Sequence, residues 1–222
     1  MWPASADELI SMQGRLARER PQPWHPSGDD VVAGCFVCFT RGGGGPGASG
    51  DTAWAGAAAV RGGRVVAAAA VVGEAGAAYR AGLLALREGP TLARALRALD
   101  VVPDVVLVNA TGRDHPRRAG LALHLGATLD LPTIGVTNRT LLAEGPQPGP
   151  ERGDRSPLCI GPDVVGAWVR TRPGAHPVAV HAAWRTDPCD AVAVVLAASH
   201  RRRTPEPLRR ARTLARRARS EA

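Results

Sequence analysis

VVLVNATGRDHPRRAGLALHLG, residues 105–126, followed by LPTIGV, residues 131–136, is the stretch on which the fold turns. Val105–Val108 is a short, unbroken apolar run set off by Pro103 and Asp104. Such a run suits a strand buried on both faces, as in a parallel sheet covered by helices. Leu131–Val136 reads the same way. Between them Pro116 suits the first position of a helix reaching about Thr128 with Asp114 as its cap, because proline needs no N–H there.

Working outward, Val31–Phe39, Ala53–Val60 and Arg64–Val72 are further strand candidates. Arg41–Gly50, rich in glycine, reads as a hairpin tip, and Gly62-Gly63 as a tight turn. These three strands form an antiparallel meander. Residues 6–19 place Leu9, Met12 and Leu16 on one helical face, and Thr91–Leu99 does so with Leu92, Ala95, Leu96 and Leu99. Downstream, Glu144–Ser156 reads as a polar loop, Val164–Arg170 and Pro177–His181 as short strands, and Asp190–His200 and Pro205–Arg219 as helices. The expected fold is α/β, a mixed sheet of meander plus parallel strands flanked by helices. At 222 residues, one domain over 1–222 is expected.

The chain carries a net charge of +8, and all 28 basic residues are arginine. A basic balance favours a polyanionic partner such as nucleic acid. A GC-rich coding sequence explains the same arginines, together with the abundance of alanine and glycine. Residues 201–222 form a basic tail that suits either phosphate gripping or a solvated helix face. No apolar run approaches the ~20 residues of a membrane span, and no secretory signal is visible at Met1–Glu8, so the cytoplasm and a monomer are the expectation. Cys35 and Cys38 make a C-x-x-C inside a strand candidate. They read as buried small hydrophobes, with metal ligation or a disulfide as the alternatives.

Three segments resemble the endonuclease V family. NATGRDHPRRAGLALHLG (109–126) and DLPTIGV (130–136) are similar to that family's D-G-x-G-x-x-H-P-R-R-x-G-L-A-x-H-L-G and D-x-P-T-I-G-V. YRAGLLALREGP (79–90) resembles P-Y-[IV]-P-G-x-L-x-F-R-E, and Pro205–Pro207 matches a family PEP. The likeness runs over roughly residues 8–217. It implies a ribonuclease-H-like fold and Mg²⁺-dependent cutting 3′ to deaminated bases, mainly inosine, in DNA or RNA. The chemistry requires clustered carboxylates that hold divalent metal at the phosphate.

The resemblance also shows where this chain departs. The family's first aspartate falls at Phe36, its second at Asn109, its glutamate at Glu88, and a histidine near the C-terminus at Trp184. A family lysine falls at Asn138. Glu88 is thus the one retained position of four, either as a metal ligand or as a polar residue at a helix start. The two aspartate positions, Phe36 and Asn109, lose negative charge. By resemblance Tyr79 belongs to a strand-separating wedge and suits base stacking, or is a plain surface aromatic. Gly82 and Gly112 line a base pocket by resemblance, or serve turns and close packing. His115, Arg117 and Arg118 suit phosphate binding at a helix N-terminus, or packing and salt bridges. Asp51, Asp114, Asp187 or Asp190 would rebuild a metal site only by folding in beside Glu88. Three functions follow. The first is a homologue that binds deaminated DNA or RNA with weak or no cleavage. The second is an active Mg-dependent endonuclease with a rearranged site, and the third a noncatalytic interaction scaffold.

Overall fold

The structure is a computed structural model that describes residues 2–40 and 47–222. Its centre is an eight-stranded mixed sheet. In chain order the strands are β1 (Val32–Phe39), β2 (Thr52–Arg61), β3 (Arg64–Glu74), β4 (Val105–Val108), β5 (Thr133–Thr137), β6 (Arg155–Ile160), β7 (Asp163–Val169) and β8 (Val178–Ala182). Across the sheet they run β3-β2-β1-β4-β5-β8-β7-β6. The meander is antiparallel, β1, β4 and β5 are parallel, and β8 returns antiparallel to β5. The central strand β4 is buried at all four residues, as its unbroken apolar run requires.

Helices cover both faces. On one side α1 (Ala6–Leu16), α2 (Leu84–Arg97) and α3 (Leu121–Leu129) enclose a core containing Cys35, Leu92, Val106, Val108 and Leu123. On the other, α4 (Pro188–Ser199) and α5 (Glu206–Ser220) close over Val105, Leu107, Ile134 and Val180. Alternation along β4 sends Val106 and Val108 to the first core, and Val105 and Leu107 to the second. The same rule separates the cysteines. The Cys35 thiol faces the Leu107 carbonyl at 3.9 Å, while that of Cys38 faces the Ala215 carbonyl of α5 at 3.5 Å. They point to opposite faces, as buried small side chains rather than one metal site.

Four expectations need correction or bounding. The helix expected from Pro116 starts instead at Leu121 with Gly120 as its N-cap, and Asp114 caps nothing. Asp114 is fully buried and accepts the backbone N–H groups of Leu141, Leu142 and Ala143 at 2.7, 2.7 and 2.8 Å. Secondly, the helix expected at Thr91 begins at Leu84 and runs through Pro90. Pro90 has no N–H for the Leu86 carbonyl. Tertiary contacts hold the turn instead: the Gly76 N–H reaches the Arg87 carbonyl at 3.3 Å, and the Arg87 guanidinium binds the Ala48 and Ala77 carbonyls and Asp51. Thirdly, β6 lies partly in the expected loop. It includes Pro157 because it is an edge strand, where a missing ladder donor is tolerated. Of the hairpin tip, Arg41–Pro46 lies outside the described residues, whereas Gly47 and Gly50 adopt the left-handed φ values (98° and 79°) that favour glycine.

Candidate active site

Ligands in open α/β sheets bind beyond the carboxyl ends of the parallel strands. There, at the ends of β1 and β4, lies a cleft of about 330 Å³ whose lining includes Phe36, Tyr79, Glu88, Asn109, Leu92 and Val108. Three of the four positions picked out as metal-ligand sites therefore meet in one place. Glu88 is on the second turn of α2, half-buried against apolar walls. Burial pushes its carboxyl up to about 7, with the neighbouring Arg87 charge pulling the other way. Burial likewise raises the Cys35 thiol, and the charge of Glu88 adds to that. Asn109 follows β4 directly and is exposed at the cleft mouth.

Phe36 reaches the cleft from β1, but its ring lies beneath α5, with the Arg212 guanidinium 5.1 Å from the ring centroid. The helix lies this close because Gly34 and Gly56 bring no side chain: a β-carbon at Gly34 would run into the backbone of Pro207 and Leu208, and one at Gly56 into that of Ala211 and Ala215. Arg212, one of the arginines of the basic tail, thus packs on a ring that lines the cleft. The periodicity held the signal, since Leu208, Ala211 and Ala215 form the buried stripe of α5 and Arg212 stands beside it.

Trp184 does not join the cleft. It is buried after β8, its carbonyl accepting the Thr133 N–H, its own N–H donating to Thr133 Oγ1, and its β-carbon packed against Gly126 of α3. Thr133 begins β5, at the end of the sheet away from the cleft. The carboxylates offered as replacements also go elsewhere. Asp51 binds Arg87 at 2.7 Å, Asp114 holds the 141–143 backbone, Asp187 caps α4, and Asp190 meets His25 at 2.7 Å. Ligand atoms of His25, Asp187 and Asp190 lie within 4.8 Å of one another at the start of α4, apart from Glu88.

The His115–Arg118 segment is a brace rather than a helix N-terminus. The Gly82 carbonyl receives Arg117 Nη2 at 2.8 Å and Gln13 Nε2 at 3.1 Å, with His115 Nε2 at 3.2 Å. Arg117 Nε donates to Gln13 Oε1 at 2.6 Å. Arg118, itself at φ 55°, reaches the Ile160 carbonyl and Asp163. Gly82, at φ 77°, therefore pins the loop that carries Tyr79, which stands 48% exposed at the cleft wall. Gly112 sits hard against the Ala182 carbonyl and Ala183, so its place is one of close packing.

Magnesium prefers several oxygen ligands in near-octahedral geometry. Here Glu88 offers one carboxylate with a raised pKa, Asn109 one neutral amide oxygen, and Phe36 none. The Phe36 ring itself turns to the α5 face of the sheet, with the Arg212 guanidinium over it. This donor set does not fit a divalent ion.

The model of the endonuclease V family matches residues 15–213. A curated endonuclease V from Streptomyces avermitilis is 39% identical over 227 residues, covering 100% of this chain and 95% of its own length. The crystal structure of the endonuclease V from that organism superposes with a TM-score of 0.89 at 38% identity, covering 99% of this chain and 95% of the other. The catalytic domain of human endonuclease V gives 0.82 at 28% identity, over 99% and 98% of the two chains. The Ciona intestinalis endonuclease V in complex with a 24mer DNA containing an inosine followed by a ribo-adenosine shares the fold, with a TM-score of 0.79 at 20% identity and 97% and 98% coverage.

Proposed function

The chain belongs to the endonuclease V family, and from that premise we propose that it binds inosine-containing or otherwise deaminated DNA or RNA and cleaves it weakly or not at all. The observation that carries the reading is the composition of the cleft. Tyr79 and Glu88 keep the residue types of the family motif, while Phe36 and Asn109 stand where that motif has aspartates. Family hydrolysis depends on metal, with Mg²⁺ the expected ion; it would supply an activated water and neutralise charge on the phosphate. The residues here are too poor in anionic oxygen to hold it. What remains suits recognition: an exposed aromatic for base stacking, worth about 1–3 kcal/mol per base, on a loop already pinned at Gly82. The relative from Ciona intestinalis, crystallised with inosine-containing DNA, supports that ligand class for this fold.

The test is to incubate the protein with labelled inosine-containing DNA and RNA in Mg²⁺ or Mn²⁺, scoring cutting and gel retardation together. Retardation without cutting is the expected result. Metal-dependent cutting abolished by Glu88→Ala would overturn the loss of catalysis and mean a rearranged, active site. Neither signal would make the chain an interaction scaffold.

A further inference from the structure

The arginines of α5 are not equivalent. Glu206 binds Arg209 and Arg210, Glu221 binds Arg217 at 2.6 Å, and Arg219 donates to the Phe39 carbonyl at 3.2 Å. Among the described residues, no carboxylate pairs with Arg212 or Arg216. The Arg212 Nε is buried without a hydrogen-bond partner. Arg212, Arg216 and Arg219 recur at helical spacing, so they share one face of α5. That face leads from the Phe36 ring to a groove of about 640 Å³ lined by Arg216, Arg219, Trp54, Thr40 and Thr52. A cationic row flanked by carboxylate-paired arginines is thus left unneutralised along α5, from the Phe36 ring to that groove. Burial together with the Arg216 charge lowers the Arg212 pKa, which marks a guanidinium without a local counter-ion.

We propose that Arg212, stacked on Phe36 and continued by Arg216, is a fixed-cation site for a phosphodiester of bound nucleic acid. The ring holds one face of the guanidinium, and its terminal Nη groups remain as the donors for the phosphate oxygens, a use suited to arginine. Binding is then metal-independent. The inference rests on the nucleic-acid reading above, but adds a residue and a charge mechanism to it.

The experiment is fluorescence anisotropy of a labelled inosine-containing oligonucleotide with the full chain, in EDTA and in Mg²⁺, across a salt series. Wild type should bind equally in both. Arg212→Gln should lose about 10-fold in affinity and reduce the salt slope by about 1, while Arg61→Gln, at the exposed end of β2, should change neither. Unchanged melting of Arg212→Gln would separate the loss from misfolding, and Arg212→Lys should recover part of the affinity. Binding by Arg212→Gln with wild-type affinity and slope would overturn this inference alone. Equal losses in Arg212→Gln and Arg61→Gln would overturn it in favour of diffuse charge, as would wild-type binding that needs Mg²⁺. Absence of wild-type binding would overturn it together with the nucleic-acid reading.

Discussion

Two regions of the molecule have opposite characters. Around Gly82, Asp114 and His115, polar groups are densely paired: one carbonyl with three partners, and one carboxylate with three backbone donors. In the cleft, Glu88 receives no side-chain hydrogen bond among the described residues, and across the sheet, over the Phe36 ring, the Arg212 Nε has no partner. The motif most faithful to the family therefore lies in the brace and not in the metal-ligand set. Its residues hold a shape, and that shape is kept although the donors needed for hydrolysis have changed.

The comparison can be broken first at the brace. Asp114→Ala removes a fully buried carboxylate and strips three backbone N–H groups of their acceptor, and should cost about 4 kcal/mol. For a chain of this size that lowers the melting temperature by about 10 °C. A loss near 1 kcal/mol by calorimetry would mean that water replaces the carboxylate, and the brace would be weaker than described. The cleft is the next place to probe. Phe36→Asp with Asn109→Asp and Arg212→Gln should create a divalent site, visible as stabilisation of about 2–3 kcal/mol at saturating Mn²⁺. Wild type should show no shift. If the triple variant also shows none, the cleft has lost more than its donors.

Gly82→Ala should cost about 1–2 kcal/mol, because a β-carbon is strained at φ 77°. A second cost is weaker binding through a displaced Tyr79, readable by anisotropy on the same oligonucleotide. Unchanged stability would show that the loop is not pinned at this carbonyl. The smallest effect is electrostatic. The folded pKa of Glu88, about 7, lies above its ordinary value of 4.5. The folded state therefore binds more protons between those values, and stability is lost as pH rises through that window. Glu88→Gln should melt like wild type at pH 4.5 and exceed it by about 1 kcal/mol at pH 8, a figure discounted for partial exposure. A difference independent of pH would place the carboxylate in water rather than against the apolar wall.

Much of the fold was legible because β4, β5 and the meander carry their burial in local pattern. Apolar runs marked the doubly covered strands, and glycine marked the turns. What escaped depended on partners distant in sequence. Asp114 beside Pro116 looks like a cap, and only the fold reveals that Leu141–Ala143 arrive to claim it. Pro90 signals a helix boundary, yet Arg87 and Gly76 keep the helix intact on both sides. The site divided in the same way. Phe36, Glu88 and Asn109 were found through motif positions and do share a cleft. Trp184 was placed from a less distinctive segment and lies in the core. Arg212 was hidden among the tail arginines, since composition does not distinguish a paired guanidinium from an unpaired one.

Pro90 has one more consequence, for the mechanics of the cleft. The turn carrying Glu88 lacks the hydrogen bond that would have tied Leu86 to the next turn of α2, and its Arg87 carbonyl is tethered instead to Gly76, three residues before Tyr79. The turn that carries Glu88 and the segment that carries Tyr79 are thus joined through the β3 exit. A base pressing on Tyr79 would be felt at Glu88 as a tilt of that turn, so the two groups should loosen and tighten together, as one lever does on a shared pivot.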